Sequence, residues 1–297
     1  MTSDAPALTV TDRTLPGPHG PLPVRIYEPA DRPVRETGLV WVHGGGFAFG
    51  ELDMPEADWV SRSLAEAGIV VVSVDYQLAG TGFAAAWGEE LRDGVLYPVA
   101  SEEVSAAYEW AQGAVDLGVP ADGWSLGGAS AGANLSAGAA LRQRDQGRPQ
   151  PRSLVLAYPL VHTELPPHRP ELAAKVAALP PEARFQPDIV AAINLNYVGD
   201  PEAVVSSYAF PGGQDLQGLP PTFILNSDSD DLRSSGELFA AELAAAGVDL
   251  LVMREDGTRH GHLNEPDDPA ASRSIARILS WLTATALLGS RHEQTHG

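Results

Sequence analysis

The chain has 297 residues, 44% of them hydrophobic, which is enough for one large α/β domain with an ample core. A formal charge of −20 argues against nucleic acid or an anionic membrane as partner, and the lack of cysteine removes disulfides, thiolate chemistry and cysteine-based metal sites. No apolar stretch approaches a membrane span, and the first residues carry Asp4 with no basic or apolar run, so no signal peptide is read and the expected location is cytoplasmic.

In chain order, the first strand expected is Val24–Tyr27, after a Pro- and Gly-rich lead. Leu39–His43 is an almost wholly apolar run ending in glycines, the pattern of a strand buried on both faces. Asp53-Met54-Pro55-Glu56 has capping-box spacing and predicts a helix to about Ala67, with Gly68 in its left-handed terminal position. Ile69–Val74 is the next buried strand, and Ser101–Leu117 is a helix closed by Gly118. Gly123–Gly127 is a short strand, and Ala131–Arg144, rich in Ala and Leu, is a helix. Strands follow at Ser153–Tyr158, Thr222–Asn226 and Asp249–Arg254. Ser234-Ser235-Gly236-Glu237 has the spacing of a second capping box, opening a helix that stops at Gly247. The last helix runs from about Pro269 to Leu288, with Ile275, Ile278, Leu279 and Leu282 on one stripe and a polar tail after Gly289.

Apolar strands alternating with helices predict an α/β fold: a mostly parallel central sheet with helices on both faces. Two stretches interrupt the alternation. Residues 80–96 form a long connection containing Phe83 and Trp87, and residues 160–219 form a Pro-rich insertion whose clearest helix spans Asp188–Tyr197. Insertions this long in a compact domain are usually functional covers or disordered, and the apolar content of the second favours an ordered lid.

Gly128-Ala129-Ser130-Ala131-Gly132 lies between a strand and a helix. Strand, sharp turn and helix present a serine hydroxyl at the tip of the turn, with the free N–H groups of the new helix facing any anion that forms there. An acyl-transfer serine needs a base, an orienting acid and an oxyanion site, all on loops after strands. His260 and His262 both follow the last strand, and spacing alone does not separate them as base. Asp228, Asp230 and Asp231 all follow the strand ending near Asn226. That cluster lacks the Gly and terminal Glu of a calcium loop. In His43-Gly44-Gly45-Gly46-Phe47, three glycines after a buried strand let backbone N–H groups approach a substrate without Cβ obstruction.

These motifs, together with Asp75-Tyr76-Gln77-Leu78-Ala79, Tyr158-Pro159-Leu160, Asp230-Asp231-Leu232-Arg233 and the order Ser, Asp, His, resemble the hormone-sensitive-lipase-like family of α/β-hydrolase esterases from about Val24 to the final helix. The resemblance implies an α/β-hydrolase fold and a serine carboxylesterase acting on small soluble esters with no cofactor. It picks Ser130 as nucleophile, His260 as base and Asp230 as acid, and it assigns the oxyanion hole to Gly45, Gly46 and Ala131. It gives His43 a scaffolding role and Asp75 the task of holding the oxyanion loop. Gly44, Phe47, Phe83, Trp87 and His262 are the expected substrate-binding residues.

The chain departs from the family's pattern in Ala129 and Ala133 and in the 80–96 insertion; the N-terminal cap is expected to be shortened, and the insertion is expected to cover part of the pocket that the cap would cover. An amidase, a peptidase, a lactonase or a bulky-ester hydrolase would use the same triad, and a ligand-binding homologue would lose a triad member. A true lipase would need a lid with a large apolar face, which the prolines and charges of 160–219 interrupt. The resemblance leaves room for a homodimer.

Overall fold

The computed structural model describes residues 8–30, 36–82, 90–200, 202 and 206–294. Eight strands form one sheet in the order β1-β2-β4-β3-β5-β6-β7-β8. They are β1 (Leu8–Gly17), β2 (Gly20–Pro29), β3 (Gly38–Val42), β4 (Val70–Val74), β5 (Trp124–Ala129), β6 (Leu154–Ala157), β7 (Thr222–Ser229) and β8 (Leu250–Arg259). From β4 to β8 every pairing is parallel, whereas β1 pairs with β2 and β2 with β4 antiparallel.

The helices are α1 (Asp58–Glu66), α2 (Val99–Gly113), α3 (Ala131–Asp145), α4 (Pro170–Ala177), α5 (Pro187–Val198), α6 (Arg233–Ala245) and α7 (Pro269–Gln294). Successive residues of β3 feed opposite faces of the sheet, as the period of two requires. Leu39 and Trp41 pack with Val60 and Leu64 of α1 and Ile278 and Leu282 of α7, while Val40 and Val42 pack with Val104 and Tyr108 of α2 and Leu135 of α3. Because β3 is followed by a helix on one face and β5 by a helix on the other, the chain diverges between these neighbours. A crevice forms there, at the carboxyl ends of the strands. Among the described residues no helix is long and apolar enough to cross a membrane.

Several boundaries differ from the sequence reading. The Pro-rich lead forms strand β1, paired with β2 through a turn at Pro18-His19. Pro16 is tolerated there because, among the described residues, β1 is an edge strand with no neighbour on its far side. Helix α1 begins at Asp58, with no side-chain cap, so Asp53-Met54-Pro55-Glu56 is not a capping box. Ser234 likewise lies inside α6 and donates back to the Asp231 carbonyl at 3.1 Å. Strands β7 and β8 run on to Ser229 and Arg259, where Glu255 and Thr258 are buried, and α7 continues past Gly289.

Candidate active site

The chain turns abruptly at Ser130, where φ is +53° and ψ is −116° between the end of β5 and the start of α3. A non-glycine residue in that region is strained, and the surroundings hold it there. The Ser130 N–H donates to the Ala157 carbonyl at 2.9 Å, and the Asn134 N–H donates to the Ser130 carbonyl at 3.2 Å. The flanking glycines are a steric necessity: a Cβ on Gly128 would stand 2.5 Å from the Val42 carbonyl oxygen, and one on Gly132 only 2.1 Å from it.

The elongated ends of β7 and β8 bring Asp230 and His260 to this turn. His260 Nδ1 lies 2.8 Å from Asp230 Oδ2, and His260 Nε2 lies 3.0 Å from Ser130 Oγ. An ionised carboxylate only accepts, so Nδ1 carries the proton and Nε2 of the neutral ring accepts from the serine hydroxyl. The other Asp230 oxygen accepts the Leu232 N–H at 2.9 Å, which fixes the carboxylate at the head of α6. Burial works against a charged imidazole here, but the Asp230 carboxylate beside it, with Glu56 and Asp231 further off, outweighs burial and raises the His260 pKa above 6.5.

Gly45, Gly46 and Phe47 follow β3 with φ of 106°, 59° and 65°, and with Ala131 they line the wall beside Ser130. Gly44 stands behind that wall rather than in it. Its N–H donates to Glu56 Oε1 at 2.6 Å, and a Cβ on it would press on Glu56, Ala129 and Ser130. Glu56 is 2% exposed and sits at the centre of the loop's support. It also accepts from the Tyr158 hydroxyl and from Asn264 Nδ2. Burial lifts its carboxyl above the ordinary range, against the pull of these donors. From the other side the Tyr76 hydroxyl reaches the His43 and Gly44 carbonyls, 3.2 Å each, while the His43 ring stacks on Tyr76 at 4.5 Å. Burial holds His43 neutral, at a pKa of about 4.

The support of this loop therefore differs from the expectation. Asp75 lies in a polar recess with Arg25, Glu51 and Asp53, and the glycine loop after β3 rests on Tyr76 and Glu56. His262 is not in the pocket either. Its Nδ1 pairs with Ser227 Oγ at 2.9 Å and its Nε2 with Ser274 Oγ at 2.8 Å, and burial pushes its pKa down to about 4. It is a core histidine that ties β7 to α7. Phe83 and Trp87 lie outside the described residues. The described ends of their segment close on each other, with the Thr81 N–H donating to the Arg92 carbonyl and the Arg92 N–H to Thr81 Oγ1. Asn196 of α5 donates to the Gly80 carbonyl at 2.7 Å, and Arg92 lies over the Phe49 ring.

A cavity of about 560 Å³ opens over Ser130. Phe47, Phe49 and Met54 line it from the body of the fold, while Leu160, Phe185, Ile189 and Ile193 line it from residues 160–219. Phe47 is held flat against Tyr197 of α5, ring centroids 4.0 Å apart. Reasoning from sequence missed Glu56, Tyr158, Asn264 and Phe185. For Glu56 the one signal was an acid inside a turn with no helix yet begun, and a capping box mimics that signal.

A family model described as α/β-hydrolase fold matches residues 39–90 and 94–264. The carboxylesterase NlhH of Mycobacterium tuberculosis is 33% identical over 291 residues, covering 93% of this chain and 83% of that protein. The esterase LipI of the same organism is 31% identical over 281 residues, with 92% and 81% covered. Among solved structures, an esterase of Pyrobaculum calidifontis superposes with a TM-score of 0.80 at 33% identity, over 94% of this chain and 86% of that one.

Proposed function

The chain belongs to the α/β-hydrolase family, and from that premise we propose that it is a serine carboxylesterase in which Ser130 is the nucleophile, His260 the base and Asp230 the acid. The observation that carries this reading is the unbroken relay from Ser130 Oγ through His260 to Asp230, with links of 3.0 and 2.8 Å, at the floor of an apolar cavity.

The serine hydroxyl loses its proton to His260 Nε2 as Oγ attacks the ester carbonyl carbon, and the carbonyl π electrons move onto oxygen. Asp230 keeps the Nδ1 proton in place and stabilises the imidazolium. The oxyanion is received by the N–H groups of Gly45, Gly46 and Ala131, and the Gly44 N–H is unavailable because Glu56 already holds it. Collapse of the tetrahedral intermediate breaks the bond to the alcohol oxygen, which takes the proton from His260 and leaves as alcohol. A water that loses its proton to His260 then attacks the acyl-serine, and the same steps release the carboxylic acid and free serine. Residues 160–219 act as the lid over this site, with Gly80 bracing that lid through Asn196 and Arg92 bracing the pocket wall through Phe49.

The test is hydrolysis of a p-nitrophenyl ester series, acetate through decanoate, by the native chain and by Ser130→Ala. The expected outcome is turnover on the short and medium esters, reduced in the variant by roughly 10⁴- to 10⁶-fold in kcat. A loss smaller than about tenfold would reject Ser130 as nucleophile.

A further inference from the structure

Asp231 follows the acid of the relay in sequence and plays no part in the steps above. It is 1% exposed. A carboxylate taken out of water to that degree needs partners for its charge. Both of its oxygens find them in the lid. The Phe185 N–H donates to Oδ2 at 3.0 Å, and the Arg184 guanidinium reaches Oδ1 at 3.5 Å. A third lid residue, His168, donates from Nε2 to the Asp231 carbonyl at 3.1 Å and lies 3.9 Å from Oδ1.

The effect is concentrated on Phe185. Its ring meets the His260 ring edge-on, with centroids 4.7 Å apart and planes at 65°. It lines the cavity next to Ile189 and Ile193 of α5. The roof above the imidazole and the acid that orients the imidazole therefore hang from adjacent residues at the head of α6. In the closed position the carboxylate holds a backbone hydrogen bond and a cation in a setting shielded from water, where charge-assisted pairing is strongest, and lifting this part of the lid would give up both contacts.

We propose that Asp231 is a specificity-determining positioning residue: it clamps Arg184 and Phe185 shut over His260, so that Phe185 forms the roof against which the hydrocarbon chain of a medium-length ester is bound in preference to an acetyl group. The proposal rests on the esterase reading above. A hexanoyl group carries methylenes that an acetyl group lacks, and those are the atoms that meet a fixed apolar roof. Acetate is too short to profit from it.

The experiment measures kcat and KM on p-nitrophenyl acetate and p-nitrophenyl hexanoate for the native protein, Asp231→Ala, Asp231→Asn and Phe185→Ala. The expected result is that Asp231→Ala and Phe185→Ala each lower the hexanoate-to-acetate ratio of kcat/KM by about tenfold or more, mainly through KM for hexanoate. Asp231→Asn still accepts the Phe185 N–H and loses the pairing with Arg184, so it should fall between native and Ala. A loss equal on the two esters and carried by kcat, in both Asp231→Asn and Phe185→Ala, would overturn the proposal while leaving the esterase reading intact. Should Asp231→Ala fail to fold, those two variants decide the matter. A native protein inactive on both esters would overturn the esterase reading itself, and this proposal with it.

Discussion

His260 shows how a single side chain is tuned by neighbours from several elements. Burial alone would hold its pKa below the ordinary value, as it does for His43 and His262, both at about 4. The difference lies in the partners. Among the described residues His43 hydrogen-bonds the Gly44 carbonyl and His262 two serine hydroxyls, whereas His260 has the Asp230 carboxylate at 2.8 Å, with Glu56 and Asp231 beyond. The folded-state pKa of His260 is therefore raised above 6.5. A raised value stabilises the fold below the unfolded pKa of about 6.5, and that contribution is lost as pH rises through the folded value. Catalysis runs the other way, because only the neutral ring can accept the serine proton. The acid limb of kcat/KM should accordingly have its midpoint above 6.5 and shift downward in Asp230→Asn. His43 and His262, already neutral down to about pH 4, do not contribute to that limb. A native midpoint at or below about 6.0 would contradict the assignment of His260 as a carboxylate-supported base.

At the scale of elements, α3 is where backbone propensity and packing disagree most plainly. It carries Gly132 and Gly138 in a helix whose side chains are buried almost all round. Replacing a helical glycine by alanine ordinarily gains about 1 kcal/mol. At Gly138, however, the new Cβ would stand 2.2 Å from the Tyr208 carbonyl oxygen, a backbone atom that cannot rotate away. Overpacking of this kind costs about 1–3 kcal/mol, so Gly138→Ala should destabilise the protein, while Gly113→Ala in α2, where the Cβ would meet nothing beyond its own helix turn within 4 Å, should stabilise it. Urea melts of the two variants check this, and equal midpoint shifts would mean that α3 does not press on the 206–210 turn. The same contrast explains what could be read from the sequence. Buried parallel strands announce themselves as apolar runs, so β3 through β6 were legible, and their loops carried Ser130 and the glycines after His43. Strand β1 was hidden because Pro16 argues against a strand, an objection that fails at a sheet edge, and because Pro21 and Pro23 argue against its partner β2, where both precede the Val24–Tyr27 stretch that pairs with β4. Glu56 and Phe185 were hidden for another reason. Each owes its place to contacts hundreds of residues or a whole insertion away, Glu56 through Asn264 and Phe185 through Asp231, and no local pattern encodes those.

On the scale of the whole molecule, the excess of acid over base sets the field in which the site works. There are 39 acidic and 19 basic side chains, a net of −20. Ester hydrolysis produces a carboxylate, and a negative field favours its departure. The same excess opposes compactness through self-repulsion. Two salt effects then compete. Added salt weakens exposed pairs such as Arg13–Asp116 and Arg254–Asp256, each worth about 0–1 kcal/mol, and it screens the repulsion among the surplus acids. Within the network that joins Lys175 and Glu171 of α4 to Asp228 and Arg233, the Asp228–Arg233 pair is shielded from the first effect because both partners are nearly buried, whereas the links to Glu171 and Lys175 are open to it. Repulsion is the larger quantity, since it acts on every unpaired acid at once while the exposed pairs contribute little. Thermal stability at pH 7.5 should therefore rise by a few degrees between about 10 and 200 mM sodium chloride, over which the screening length falls from about 30 Å to under 10 Å. A melting temperature that falls across this range would mean that the ion pairs, not the surplus charge, dominate the electrostatics of the fold.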